Sequence, residues 1–186
     1  MSRNYRFHNP NAPYFVSFAV VEWLDVFTRN EYKNILLESL AYCQKEKGME
    51  IYAWVIMTNH VHLVFRSTKE IPPGQLLGSF KRHTSKAVVN AIDQNHRESR
   101  REILLNAFKR NGAQNSNVKH NQFWRQNNKP IELWSKKVIS QKIKYIHNNP
   151  VEQGYVFRPE DYQYSSAVDY SGEKGVLDGV IVIGLD

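Results

Sequence analysis

At 186 residues the chain is long enough for one domain with a sizeable core and too short for a second of ordinary size. A single cysteine, Cys43, excludes an internal disulfide; no run of about 18 apolar residues offers a membrane span, and the start MSRNYRFHNPNAPYF lacks the apolar centre of a secretory signal, so the expectation is a cytoplasmic protein with no membrane partner. The net charge of +7 is uneven, with two basic against seven acidic side chains in residues 151–186 and +12 on the residues before them, a balance that favours nucleic acid over an acidic small molecule as partner.

In chain order, Tyr14 to Trp23 (YFVSFAVVEW) is β-branched and aromatic enough for a first strand. The next segment repeats apolar residues at helical spacing from Tyr32 to Lys47, with Cys43 among them, until Gly48 stops it. Glu50 to Met57 and His60 to Arg66 read as two strands joined at Thr58-Asn59. Pro72-Pro73-Gly74 opens a second helix over about Gln75 to Ile92, with Leu77, Phe80, Thr84, Ala87 and Ala91 on its apolar side and Arg82, His83, Lys86 and Asn90 on the other. Gln94 to Asn121 is polar and reads as a long, partly flexible connection containing a short helical run. A fourth strand is predicted at Lys129 to Trp134, and a third helix follows, capped near Ser135 and ended by Pro150. The tail is turn-rich, with a late strand in VLDGVIVIGLD.

The order predicts an α+β fold: a ferredoxin-like β-α-β-β-α-β antiparallel sheet of four strands with an additional C-terminal catalytic helix. Both crossover helices would lie on one face, leaving the other open to DNA or a partner. Residues 1–150 would form the catalytic domain and 151–186 an extension packed on it or trailing from it.

Two residue patterns carry chemistry. In WVIMTNHVHLVF, His60 and His62 flank Val61, and the two-residue period of a strand puts both imidazoles on one side, as a chelating pair would require. On the third helix Gln141, Tyr145 and Asn149 fall at four-residue steps on one stripe, beside an apolar stripe of Ile139, Ile143 and Ile146 that would dock it. Asn149 with His60 and His62 could hold a divalent cation and leave positions for phosphate oxygens or water, with Tyr145 one turn away.

The stretches AWVIMTNHVHLVF, GSFKRHTSKAV, KYIHNNPVEQGYV and PEDYQYSSAVDY together resemble the single-tyrosine HUH endonucleases of the IS200/IS605 transposase family, most of all the REP-associated tyrosine transposases. The resemblance implies a metal-dependent transposase that cuts and rejoins single-stranded DNA beside a hairpin. It implies His60 and His62 as metal ligands for Mg²⁺ or Mn²⁺, Asn149 as third ligand with His147 as a rival, and Tyr145 as the nucleophile that forms a 5′-phosphotyrosine. DNA would be held by Lys81, Arg82, Lys86 and Arg125, with Lys142 assisting near Tyr145. A homodimer is compatible with the sequence. Two other readings are a hairpin-binding protein that has kept the fold without the chemistry, and a zinc hydrolase built on the histidine pair.

Overall fold

The computed structural model describes residues 7–116, 120–126 and 128–185. Four strands, β1 (Tyr14–Ala19), β2 (Met49–Ile56), β3 (His60–Ser67) and β4 (Ile131–Glu132), pair antiparallel in the order β2-β3-β1-β4, the order of a ferredoxin-like sheet. Among the described residues five α-helices accompany the sheet: α1 (Asn30–Lys47), α2 (Pro73–Gln94), α3 (Arg101–Ala113), α4 (Lys136–Glu152) and the single turn α5 (Ala167–Tyr170). Helix α1 ends at Gly48, whose φ of 67° is the left-handed conformation that glycine takes without steric cost.

Strand alternation divides the apolar side chains between two cores. Tyr14, Val16 and Phe18 of β1 and Val61, Leu63 and Phe65 of β3 turn to α1 and α2, which supply Leu36, Leu40, Leu77, Phe80 and Val88. A register shift between Ile51 and Ala53 lets Ile51 and Trp54 join that core while Ala53 and Val55 face the other way.

The second face is where the structure departs from the expected open sheet. Phe15, Ala53, Val55 and Val64 would stand in water there, and α4 covers them with Ile143 and Ile146. Ser135 caps this helix by accepting from the Val138 amide at 3.3 Å. Pro150 does not end it. The helix runs on to Glu152, because a proline so close to the end forfeits few hydrogen bonds and the Asn149 and Pro150 carbonyls still accept from Gln153 and Tyr155.

Two further expectations change, whereas the short helical run expected in the polar connection after α2 is present as α3. It buries Leu104, Ala107 and Phe108 and is anchored by the buried Glu98, bound to Arg29 at 2.7 Å and Arg100 at 3.3 Å; residues 117–119 of that connection lie outside the described residues. Its Gly112 sits against the His120 backbone so closely that a Cβ would meet the carbonyl oxygen. The buried stripe of α2 runs through Leu76, Leu77, Phe80, Thr84, Val88 and Ile92, with Ala87 and Ala91 at its margin. The predicted late strand is a single bridge between Val180 and Ile51, with Gly179 in a left-handed conformation beside it. Tyr164 and Ser166 also pair with the free edge of β2, the Tyr164 carbonyl accepting from Ile56 at 3.0 Å and the Ser166 amide donating to Trp54 at 3.0 Å.

Candidate active site

His60 and His62 project from β3 onto the face covered by α4, their ring centroids 4.8 Å apart. Their neighbours across the sheet are Ala19 opposite His60, and Ser17 and Val55 opposite His62, so small side chains leave space over the rings. Phe15 stacks on His62 at 5.6 Å. Burial pushes the His62 pKa down to about 3, with further repulsion from His60 and Lys142. The His60 pKa is also lowered by burial, opposed in part by the nearby Asn149 side chain and by Asp25. Both imidazoles are therefore neutral at pH 7, the form in which histidine binds a cation.

Asn59 orients the first ring. Its Oδ1 lies 2.7 Å from His60 Nδ1, and since a carbonyl oxygen only accepts, Nδ1 carries the proton and the lone pair is left on Nε2. From α4, Asn149 brings Nδ2 to 3.4 Å from His62 Nε2. That contact leaves two buried polar atoms without partners, His62 Nδ1 and Asn149 Oδ1. Orphans of this kind cost about 1–3 kcal/mol each; since Nε2 accepts from Asn149, the His62 proton lies on Nδ1, and it is Asn149 Oδ1 among the two that a cation would give a use. Among the described residues no three His, Cys, Asp or Glu side chains gather into a metal-binding group. A cation here would accordingly be held by two imidazoles and an amide, and completed by oxygens from substrate or water, a mixed set that suits Mg²⁺ or Mn²⁺ better than a closed zinc site.

Tyr145 stands one turn before Asn149. Its ring centroid is 5.3 Å from that of His62 and 5.9 Å from that of Phe15, and 41% of the residue is exposed, so the phenol borders the histidine pair and faces outward. Ile143 and Ile146, fully buried on either side of it, fix its position. Lys142 places Nζ 4.8 Å from the Phe15 ring centroid and 5.6 Å from that of Tyr145. His60, His62, Tyr145, Asn149 and Lys142 are thus brought together within one chain. His147 is not among them: its Nε2 is 2.9 Å from Ser166 Oγ, which also accepts from the Trp54 amide at 2.9 Å, and burial lowers its pKa to about 4.

The remaining basic residues are scattered. Lys81 turns inward, donating to the Arg125 carbonyl at 3.0 Å and to Asn128, with its pKa lowered to about 8 by burial, so it ties down the chain before β4. Arg82 and Lys86 are exposed on α2, on the sheet face away from the histidines, where they border a cavity of about 940 Å³ shared with Lys109 of α3. Arg125 is exposed beside Trp23. Asn59 and Phe15 were missed as site residues by sequence reasoning. Asn59 could have been found as the polar neighbour of His60, whereas Phe15 carries no such signal because its contact with His62 exists only through strand pairing.

A family model described as "Transposase IS200 like" matches residues 18–109, which include His60 and His62 and stop before α4. The structure of a REP-associated tyrosine transposase bound to a REP hairpin is similar to this chain with a TM-score of 0.65 and 16% identity, over 92% of this chain and 86% of that one. A crystal structure from Deinococcus radiodurans R1, described as a candidate transposase, gives a TM-score of 0.43 and 18% identity over 80% of this chain and 97% of that one. No curated protein matches. At 16% identity the first of these structures speaks to the fold alone, and no helix among the described residues is long and apolar enough to cross a membrane.

Proposed function

We propose that this chain, which belongs with the IS200-like transposases, is a metal-dependent endonuclease and strand transferase acting on single-stranded DNA beside a hairpin. One observation carries the reading: a phenol, an amide and two neutral imidazoles from β3 and α4 meet around a common point, with His62 and Tyr145 ring centroids 5.3 Å apart. The hairpin as partner is supported by the fold shared with a transposase whose structure holds one.

In this mechanism His60, His62 and Asn149 would hold Mg²⁺ or Mn²⁺. When bound, the cation supplies Lewis acidity toward a non-bridging phosphate oxygen. Tyr145 Oη attacks the scissile phosphorus and loses its proton as the new O–P bond forms. The P–O bond to the 3′ oxygen breaks, and that oxygen leaves as a hydroxyl, so the 5′ end remains on Tyr145 as a phosphodiester. Attack by a 3′-hydroxyl reverses the exchange and rejoins the strand. Lys142 adds positive charge beside the phenol, where it would offset the negative charge of the phosphate under attack. Phe15 and the apolar floor of the second core keep α4 seated and restrict water behind the rings. Arg82 and Lys86 are assigned to phosphates of the hairpin stem, contacts that position DNA without reading it.

The test is a denaturing gel of labelled hairpin DNA with single-stranded flanks, incubated with wild type and Tyr145→Phe in Mg²⁺, Mn²⁺ or chelator. A covalent protein–DNA band that requires both the metal and Tyr145 is expected. Hairpin binding with no band in any metal would refute the enzyme and leave a DNA-binding protein of the same fold.

A further inference from the structure

Beside His60 lies a second surface that the chemistry above does not use. After β1 the chain makes a short 3₁₀ turn, Val21–Trp23, in which Glu22 (φ 54°) and Trp23 (φ 57°) are both left-handed, a conformation rare for such residues. The strain is held in place from outside the turn. Glu22 accepts from Arg110 at 2.8 Å and from Asn111 at 2.7 Å, both on α3, and the Trp23 carbonyl accepts from Asn59 at 3.3 Å. The consequence is an indole that is 53% exposed, with its ring centroid 5.9 Å from that of His60 and the Arg125 guanidinium 5.3 Å from it. No core contact explains an outward tryptophan on a strained backbone.

The indole and Arg125 border an open cavity of about 580 Å³. Among the described residues that line it Arg125 is the one basic side chain, and amides, including those of Gln114, Gln122 and Gln126, dominate the rest. Neutral amides match the donors and acceptors on the edge of a base, whereas a phosphate site would be expected to gather cations. An indole with a guanidinium over it is a stacking platform for any base.

We infer that Trp23 and Arg125, with the amides of Gln114 and Gln126, form a pocket for one unpaired nucleobase flanking the hairpin, adjacent to the phosphate handled at His60 and His62, and that this pocket selects the sequence cut. The inference rests on the reading of that site as one acting on single-stranded DNA. It gives Asn59 a double role, since the same side chain orients His60 through Oδ1 and fixes the Trp23 carbonyl through Nδ2.

The test is a binding cycle with the full chain in chelator. The probes are hairpin oligonucleotides with four-nucleotide single-stranded flanks, first randomised and then, for the best binder, made abasic at one flank position at a time. Trp23→Asn removes the indole and keeps a residue that tolerates the left-handed backbone. At one position the abasic change should weaken wild-type binding by about 5- to 150-fold, the range for loss of one stacked base. Trp23→Asn should weaken binding of the intact probe equally, and the two changes together should cost little more than either alone. Gln114→Ala should alter which base is preferred at that position while leaving the abasic probe unaffected.

Independent, multiplying effects of Trp23→Asn and the abasic change at every position would overturn the pocket, as would wild-type binding indifferent to all flanking bases or no binding to any probe. Covalent adduct formation on the same probes keeps the two readings apart. Coupling without adduct upholds the pocket and refutes the nuclease, and adduct without coupling does the reverse.

Discussion

Replacing His147 with Gln should make the fold less sensitive to acid, and the size of the effect follows from where His147 sits. It is only 6% exposed on α4, its Nε2 2.9 Å from Ser166 Oγ, and burial lowers its pKa to about 4 against about 6.5 for an unfolded histidine. As pH falls through 6.5 the unfolded chain takes up a proton that the folded chain refuses until about pH 4. Stability present above pH 6.5 is therefore lost on acidification, with a limiting slope of about 1.4 kcal/mol per pH unit. Between pH 8 and pH 5 this comes to about 2 kcal/mol for the one residue. Glutamine does not titrate and keeps an amide able to reach Ser166, so His147→Gln should lose about 2 kcal/mol less than wild type over that interval, as measured by urea unfolding at both pH values. Other titrating groups, His62 included, contribute to both proteins and cancel. Equal losses would refute the claim that the α4 interface holds His147 neutral. The bond also bears on function, because His147–Ser166–Trp54 ties the helix carrying Tyr145 and Asn149 to β2.

Asn149→Ala should weaken Mn²⁺ binding by at least about tenfold, read by isothermal titration calorimetry on the folded protein, since an oxygen ligand is lost while both imidazoles stay. Unchanged affinity would remove Asn149 from the ligand set. Arg82→Ala and Lys86→Ala should each lower the slope of log Kd against log salt by about 0.9 if they meet phosphates of the duplex stem, measured by fluorescence anisotropy. Lys81→Met should leave that slope unaltered, because its ammonium is spent on the Arg125 carbonyl and Asn128.

What could be read in advance was what depends on local periodicity. A strand alternates regardless of its neighbours, so His60-Val61-His62 places both rings on one face, and a helix repeats at four residues, so Tyr145 and Asn149 share one side of α4. The β-hairpin, the helix stopped at Gly48 and the Ser135 cap are equally local signals. The losses are non-local. Lys81 looks like its neighbour Arg82 until the chain at Asn128 comes back to meet it. The exposure of Trp23 depends on a carboxylate at Glu22 finding Arg110 some ninety positions later. The closed second face was within reach of the sequence, since Ala53, Trp54, Val55 and Ile56 form an unbroken apolar run, and such a run belongs to a strand buried on both sides.

That second face also explains how one helix can be both a packing element and, in the proposed mechanism, the bearer of the nucleophile. A docked helix needs an apolar stripe in the core, whereas an attacking phenol needs access to solvent and substrate. Helix α4 meets both demands by angular offset. Ile143 and Ile146 are fully buried, Tyr145 between them is turned to the edge of the interface and remains 41% exposed, and Asn149 returns to the inside beside His62. The same burial sets the electrostatics. A solvated histidine pair would be partly protonated near pH 6 and would repel a cation, but burial holds the His62 pKa near 3, so its lone pair survives acidification that would silence an exposed imidazole. The fold bears the cost of two unpaired buried atoms, His62 Nδ1 and Asn149 Oδ1, at the place where the proposed chemistry requires a ligand set. Under this reading the instability and the activity have one origin: a polar cluster that the core alone cannot satisfy and that a cation and a phosphate together can.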